Sequence, residues 1–249
     1  MPGRFTFFSE SIHQNIAEFS EGEFNHIVKV TRYSLGDLIE FTDGKGQLYT
    51  GKLIQINKRN CYVEIFETIV QEPPKLKIAM GILKNSDRME WAVEKCTELG
   101  ASVLFFLHTK NSERSKINVE RLNKTAISAI KQSHTSYLPR ISDLNFKEFV
   151  IQVSQDEYQH LNKYIAFCDI DSLGDDFVIN NQVIPIKNLI STTKELRNDD
   201  LITIGPEGDF SPEEVKLALS NGFRFLDLGK RILRSETAVV STCAIANYN

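Results

Sequence analysis

The chain has 249 residues, is 41% hydrophobic and 25% charged, and carries a formal net charge of −4. These values describe an ordinary globular protein and exclude a collagen-like, disordered or disulfide-scaffolded chain. Its longest uninterrupted apolar runs are short, such as Val103 to Leu107, so no membrane span is expected.

The opening MPGRFTFFSES has no apolar signal core. Cys61, Cys96, Cys168 and Cys243 are scattered and never form CxxC, which reads as reduced thiols in a cytoplasmic protein. Charge is uneven along the chain. Residues 75–147 hold 13 Lys/Arg against 7 Asp/Glu, whereas residues 148–249 hold 9 against 16. A basic middle segment in an acidic chain suits a phosphate-facing surface, and a solvated Lys-rich face explains the count equally well.

In chain order, Arg4 to Phe8, Leu38 to Thr42, Gln47 to Asn57 and Cys61 to Ile69 are rich in β-branched and aromatic residues and read as strands. Asp43-Gly44-Lys45-Gly46 and Asn57-Lys58-Arg59-Asn60 supply hairpin turns. Phe24, Ile27, Val28 and Thr31 fall at helical spacing, which leaves His26, Lys29 and Arg32 off the apolar stripe. Pro73-Pro74 breaks any helix or central strand and marks a boundary. Two domains are expected, a small β-barrel over 1–72 and a larger one over 73–249.

After the boundary, strands alternate with helices. Strand Leu76 to Leu83 leads to a helix from Asp87 to Leu99, with Met89, Ala92, Val93 and Cys96 on one face and Gly100 as its stop. Strand Val103 to Leu107, helix Val119 to Ser133, and strands Ile165 to Ile170 and Leu201 to Ile204 follow. Ser211-Pro212-Glu213-Glu214 reads as a capping box that opens a helix ending at Gly222. Strand Phe223 to Leu228 and a last helix after Ser235 close the chain. Such alternation predicts an α/β domain with a mostly parallel sheet.

The sequence lacks GxGxxG after a strand, GxxxxGK[ST], GxSxG and HExxH. Its five histidines have no metal-ligand spacing, so no metal is expected. Two loops after predicted strands remain. Ile204-Gly205-Pro206-Glu207-Gly208-Asp209-Phe210-Ser211 lets the backbone approach a ligand and runs into a helix N-terminus, although a plain capped turn reads the same way. Leu228-Gly229-Lys230-Arg231-Ile232-Leu233-Arg234-Ser235-Glu236-Thr237-Ala238 gathers three cations, a carboxylate and two hydroxyls beside apolar residues, a pattern that suits a half-buried polar site.

These two motifs closely resemble the RsmE family of SPOUT methyltransferases. Asn25 to Arg32, Lys84 to Trp91, Glu94 to Gly100 and Asn111 to Ser115 extend the resemblance over nearly the whole chain. It implies an N-terminal PUA-like barrel that serves RNA, and a C-terminal α/β domain tied in a trefoil knot that holds S-adenosylmethionine. It also implies a homodimer and methylation of N3 of a uridine in 16S ribosomal RNA. The carried-over cofactor residues are Ile204, Gly205, Pro206, Glu207, Gly208, Leu228, Gly229, Ile232, Leu233 and Thr237. RNA contacts are expected at Arg4, His26, Lys29, Arg32, Lys84, Arg88 and Arg114. The family commonly has glycine where this chain has Asp209, and aspartate tolerates positive φ better than most residues. The arginine that many members carry shortly after the Gln132 position is missing here.

Loss of the uracil N3 proton spreads charge onto the flanking carbonyls, so a fixed guanidinium there lowers the barrier. Arg234 is the candidate for that role. Glu236 either orients Arg234, takes the proton, or caps the last helix. A SPOUT enzyme acting on transfer RNA, and a non-catalytic RNA-binding protein of the same fold, are the rival readings.

Overall fold

A computed structural model describes residues 6–113, 116–155, 158–174, 176–179 and 182–249. Arg4 and Arg114, expected as RNA contacts, lie outside the described residues. Contacts divide the chain into one unit of residues up to Pro73 with Ala126–Leu138, and another of Pro74–Thr125 with Pro139–Asn249.

In the first unit, β1 (Thr6–Phe8), β2 (Ile12–His13), β3 (Ile16–Ser20), β4 (Leu38–Thr42), β5 (Gln47–Ile56) and β6 (Asn60–Val70) form one sheet in the order β1-β4-β5-β6-β3-β2. β1 and β4 run parallel and the other pairs are antiparallel. Phe7, Phe19, Phe41, Ile39, Leu53 and Val63 fill its interior, each worth about 1.5–3 kcal/mol of burial. The β2–β3 hairpin escapes the sequence reading because Gln14 and Asn15 turn it with φ of 48° and 66°, without the glycine that usually signals such a turn. The expected helix is split: α1 (Glu21–Asn25) widens into a π-helical turn over His26–Val30. The Thr31 hydroxyl donates to the carbonyls of His26 and Ile27 and ends it.

The second unit holds β7 (Leu76–Gly81), α2 (Ser86–Glu98), β8 (Ala101–His108), β9 (Arg140–Asn145), α4 (Phe146–Val153), β10 (Lys163–Ala166), a β11–β12 hairpin (Asp176–Ile179, Gln182–Pro185), β13 (Ile190–Thr192), β14 (Leu201–Ile204), α5 (Pro212–Ser220), β15 (Phe223–Asp227) and α6 (Ser235–Tyr248). Between β8 and β9, α3 (Val119–Ser133) begins in this unit and ends among residues grouped with the first. Seven strands pair in the order β13-β15-β10-β14-β7-β8-β9, every pair parallel. This is the α/β sheet that the alternation predicts. Met89, Ala92, Val93 and Cys96 are buried on one face of α2, which packs on α6. Ser211 Oγ accepts from Glu214 N while Glu214 Oε2 accepts from Ser211 N, so the capping box is formed.

One strand is displaced from its expected place. Instead of Ile165 to Ile170, β10 ends at Ala166, because the next free amide, Cys168 N, donates to a side chain of the neighbouring loop rather than to the ladder.

Candidate active site

β15, β10 and β14 are consecutive in the sheet and parallel, so their C-terminal ends release three loops at one edge. The loops enclose a cavity of about 500 Å³. After β10 it is lined by Phe167, Cys168 and Ile170, after β14 by Gly205, Pro206, Glu207 and Asp209, and after β15 by the run from Leu228 to Ser235. Ligands in open parallel sheets collect at such an edge.

The β14 loop is held tightly. A Cβ on Gly205 would meet Asp209 Oδ1 at 2.9 Å and Phe210 Cδ2 at 3.3 Å, so only glycine fits there. Gly81, at the end of β7, lies so close beneath Pro206 that a Cβ would stand 2.3 Å from its Cδ. Asp209 adopts φ of 56°, the left-handed conformation that the sequence allowed for. Its Oδ1 accepts from Phe210 N at 2.8 Å and its Oδ2 from Cys168 N at 2.9 Å. Asn111, in the loop after β8, donates Nδ2 to the carbonyls of Gly208 and Asp209. Partial burial, with the adjacent Asp209 carboxylate, pushes the Cys168 thiol above its usual range.

The β15 loop turns at Gly229, whose φ is 91° and whose N–H donates to Asp227 Oδ1. Its apolar residue Ile232 is 87% exposed. Arg234 is the N-cap residue of α6 and supplies no side-chain bond to the helix, whereas Asn85 and Ser211 cap α2 and α5. The first-turn amides of α6 therefore receive no side-chain cap from Arg234. Glu236 sits in that first turn with its side chain 10% exposed. Its nearest cation is Arg88 of α2, with Nε 3.5 Å from Oε1, and Glu236 Oε2 is buried with no hydrogen-bond partner.

Of the residues singled out from sequence, Ile204, Gly205, Pro206, Glu207, Leu228, Gly229, Ile232, Leu233 and Arg234 line this one cavity. Gly208 packs against Asn111 instead, and Thr237 is exposed on α6. The sequence reading missed the third wall, Phe167, Cys168 and Ile170, although the same strand-end rule applies to β10. It also missed Asn111 as a tether.

Lys29 and Arg32 are exposed, while His26 is half-buried with its ring edge-on to Phe7, 5.3 Å between centroids. Lys29 shares a groove with Lys58 and Arg59, the tip of the β5–β6 hairpin, and with Asn25 and Asn60. Lys84 is exposed and pairs with Glu113 at 2.7 Å, which raises its ammonium above the usual range.

Comparison with known proteins adds a family to this geometry. Residues 70–247 match the model of an RNA methyltransferase domain, and residues 19–66 match that of an RNA methyltransferase PUA domain. A protein of Bacillus subtilis named ribosomal RNA small subunit methyltransferase E is 28% identical over 235 residues, 91% of this chain and 87% of that one. The crystal structure of a probable rRNA-methyltransferase from Porphyromonas gingivalis superposes with a TM-score of 0.79 at 31% identity, covering 98% of this chain and all of the other. A ribosomal RNA small subunit methyltransferase E from Neisseria gonorrhoeae, bound to S-adenosyl methionine, shares the fold with a TM-score of 0.74 at 22% identity, covering 96% of this chain and 95% of that one.

Proposed function

The chain belongs to the RNA methyltransferase family that its two C-terminal motifs resemble, with a PUA domain ahead of the catalytic one, and from that membership we propose that it methylates N3 of a uridine in 16S ribosomal RNA with S-adenosylmethionine. The observation that carries the reading is the convergence of three strand-end loops on one cavity, two of them bearing the family's motifs.

The cavity fits the cofactor in size and chemistry. About 500 Å³ lies within the range of small-ligand sites. A Cβ on Gly205 would run into Asp209 and Phe210, and one on Gly229 would strain a turn of positive φ, so both loops keep their backbone bare at the cavity. Backbone groups of Gly205, Leu228, Gly229 and Leu233, with the side chains of Ile204, Pro206, Glu207 and Ile232 around them, would hold the adenosine and methionine portions; Gly208 and Thr237 act from the margin. When bound, S-adenosylmethionine supplies an already activated methyl electrophile. The protein's own work is to hold uracil N3 in line and to stabilise the charge left on the ring. Arg234, on the cavity wall at the positive end of α6, takes one flanking carbonyl.

RNA contacts are read at Lys29, Arg32, Lys58 and Arg59 in the first unit and, taken by itself, at Lys84 and Arg88 in the second. A homodimer is part of the same reading. Ile232, Trp91 and Tyr248 are exposed large hydrophobic residues of the single chain, and a second copy would cover such residues. The trefoil knot and a cytoplasmic location belong to it too. Among the described residues no helix is long and apolar enough to cross a membrane.

The test is methylation of purified small subunits, and of their naked RNA, followed by identification of the modified base. N3-methyluridine in the 16S RNA is the expected product. A methylated ribose or guanine in transfer RNA would favour the rival enzyme, and cofactor binding without any transfer would favour the RNA-binding module.

A further inference from the structure

Glu236 is nine-tenths buried, yet one oxygen has no partner and the other has a single long contact with Arg88. A buried carboxylate left in that state costs stability, and native structures keep such groups where they have work to do. The chemistry of N3 decides which work. After deprotonation the N3 lone pair lies in the plane of the ring, along the direction of the lost N–H bond, and the methyl must arrive along that line. A carboxylate anchored on the N3–H would stand in the methyl's path.

The partner of Glu236 points to a different role. Arg88 is in the first turn of α2, and Glu236 in the first turn of α6, one residue beyond the cavity-lining Ser235 and two beyond Arg234. The other acids of the same α2 turn, Asp87 and Glu90, face Arg121 instead. Arg88, which shares no helix face with either acid, reaches across to α6. Its side chain is 36% exposed, in contrast to the carboxylate that holds it. At 3.5 Å the pair is longer than a charge-assisted hydrogen bond, and the unpartnered Oε2 is the empty half of a fork that a guanidinium completes by swinging onto both oxygens. Closed in that way through Nε and one terminal nitrogen, Arg88 keeps N–H groups for a third acceptor.

We propose that Arg88 is a second catalytic guanidinium of the transfer site, held by Glu236 and aimed at the uracil carbonyl that Arg234 does not take. The inference rests on the uridine N3 reading above. In the step it serves, the N3–H bond breaks, the proton goes to water, and the electron pair stays on N3 in the plane of the ring, while the ring's added charge is shared with O2 and O4 through the π system. That pair then forms the bond to the methyl carbon, while the pair of the donor's S–C bond remains on sulfur. Two guanidiniums, one per oxygen, stabilise the charge more evenly than one. Glu236 touches no reacting atom and acts through Arg88.

The test uses the full-length protein, RNA carrying the mapped target uridine, and single-turnover rates at saturating RNA, with calorimetric cofactor binding as the control for folding. Arg88→Ala should slow transfer by roughly a hundredfold, as loss of one preorganised donor does. Glu236→Gln should cost less than about tenfold, since an amide oxygen still accepts from Arg88. Arg88→Ala combined with Glu236→Ala should fall no further than Arg88→Ala alone. On RNA with 5-fluorouridine at the target, whose N3 is more acidic, the deficit of Arg88→Ala should shrink. A Glu236→Gln loss as severe as Glu236→Ala, additive with Arg88→Ala, would overturn the proposal and make Glu236 the proton acceptor. An unchanged Arg88→Ala deficit on 5-fluorouridine would overturn it as well. If wild-type protein leaves N3 of uridine unmodified, the function reading fails instead, which the base analysis reports separately.

Discussion

Asp209 Oδ2 accepts a hydrogen bond from the backbone N–H of Cys168 at 2.9 Å, tying the loop after β14 to the loop after β10. The other carboxylate oxygen accepts from Phe210 N, so the side chain bridges two walls of one cavity. The glycine common at this position in the resembled family could take the same φ but could not make either bond.

Asp209→Gly should weaken S-adenosylmethionine binding by roughly tenfold, in line with the loss of a hydrogen bond to a charged group. Asp209→Asn, which keeps one acceptor, should lose less. Gly205→Val should abolish binding while circular dichroism shows the domain still folded, because its added carbons collide with Asp209 and Phe210. Titration calorimetry measures all three. Intact binding in Gly205→Val would move the cofactor elsewhere.

Cys168 gives a reporter for the same clamp. Its thiol is raised by partial burial and then by the Asp209 carboxylate, so the thiolate that reacts with alkylating agents is scarce near pH 8. Asp209→Asn removes the negative charge, lowers the thiol pKa and should speed labelling by iodoacetamide. Added S-adenosylmethionine should protect Cys168 in both proteins. Mass spectrometry of the labelled peptide checks both statements, with Cys61, Cys96 and Cys243 as buried internal controls.

The sequence made the parallel sheet legible because strands such as Leu201–Ile204, buried on both faces, read as short apolar runs between helices with good caps. It made two of the three cavity loops legible because Gly205 and Gly229 serve needs of the backbone that only glycine meets easily. The third loop was hidden. Phe167 and Cys168 look like a strand's continuation, and only the non-local bond to Asp209 ends the ladder. Arg88 was legible as an expected RNA contact but not as the partner of Glu236. On α2 it is one more polar residue beside Asp87 and Glu90, and its pairing with Glu236 spans well over a hundred residues of chain. Residues 126–138 group with the first unit for a reason of that same kind: Gly46 N bonds Ser136 O, and Leu138 N bonds Gly44 O. Hydrophobic period places elements, while pairings at long range are set by packing that no local pattern encodes.

Gly81→Ala should be more damaging than its size suggests. The added methyl would stand 2.3 Å from Pro206 Cδ and 2.4 Å from its backbone nitrogen, and the proline ring that joins the two cannot swing aside. Overpacking of this kind costs about 1–3 kcal/mol, and here it also displaces the loop that begins at Gly205. Chemical denaturation should show the loss in midpoint without a change in slope. A variant as stable as wild type with unchanged cofactor affinity would mean the loop yields freely.

RNA affinity should fall with salt, since each neutralised phosphate releases counterions. Replacing Lys29, Lys58 and Arg59 by Ala, three cations that share one groove, should weaken binding at low salt and reduce the slope of log affinity against log salt by about 2. His26→Ala should affect stability more than the slope, because its ring packs on Phe7. Fluorescence anisotropy over a salt series measures both. An unchanged slope in the triple variant would take this groove out of the RNA path.

Arg234 carries the sharpest prediction about the chemistry. It lines the cavity, forms no cap with its own helix, and stands at the positive end of α6. If it stabilises the developing uracil anion, Arg234→Ala should leave cofactor affinity nearly unchanged and lower the single-turnover rate roughly a hundred- to a thousandfold. Arg234→Lys should recover little, because an ammonium does not reproduce the planar fork. A clamp on phosphate or on a second copy of the chain would behave differently. Saturating RNA would then restore the rate, or sedimentation would reveal a change in oligomeric state. Single-turnover methylation at saturating RNA, run beside sedimentation velocity, separates these outcomes. A normal single-turnover rate in Arg234→Ala would remove Arg234 from the chemistry and leave Arg88 as the remaining guanidinium beside the first turn of α6.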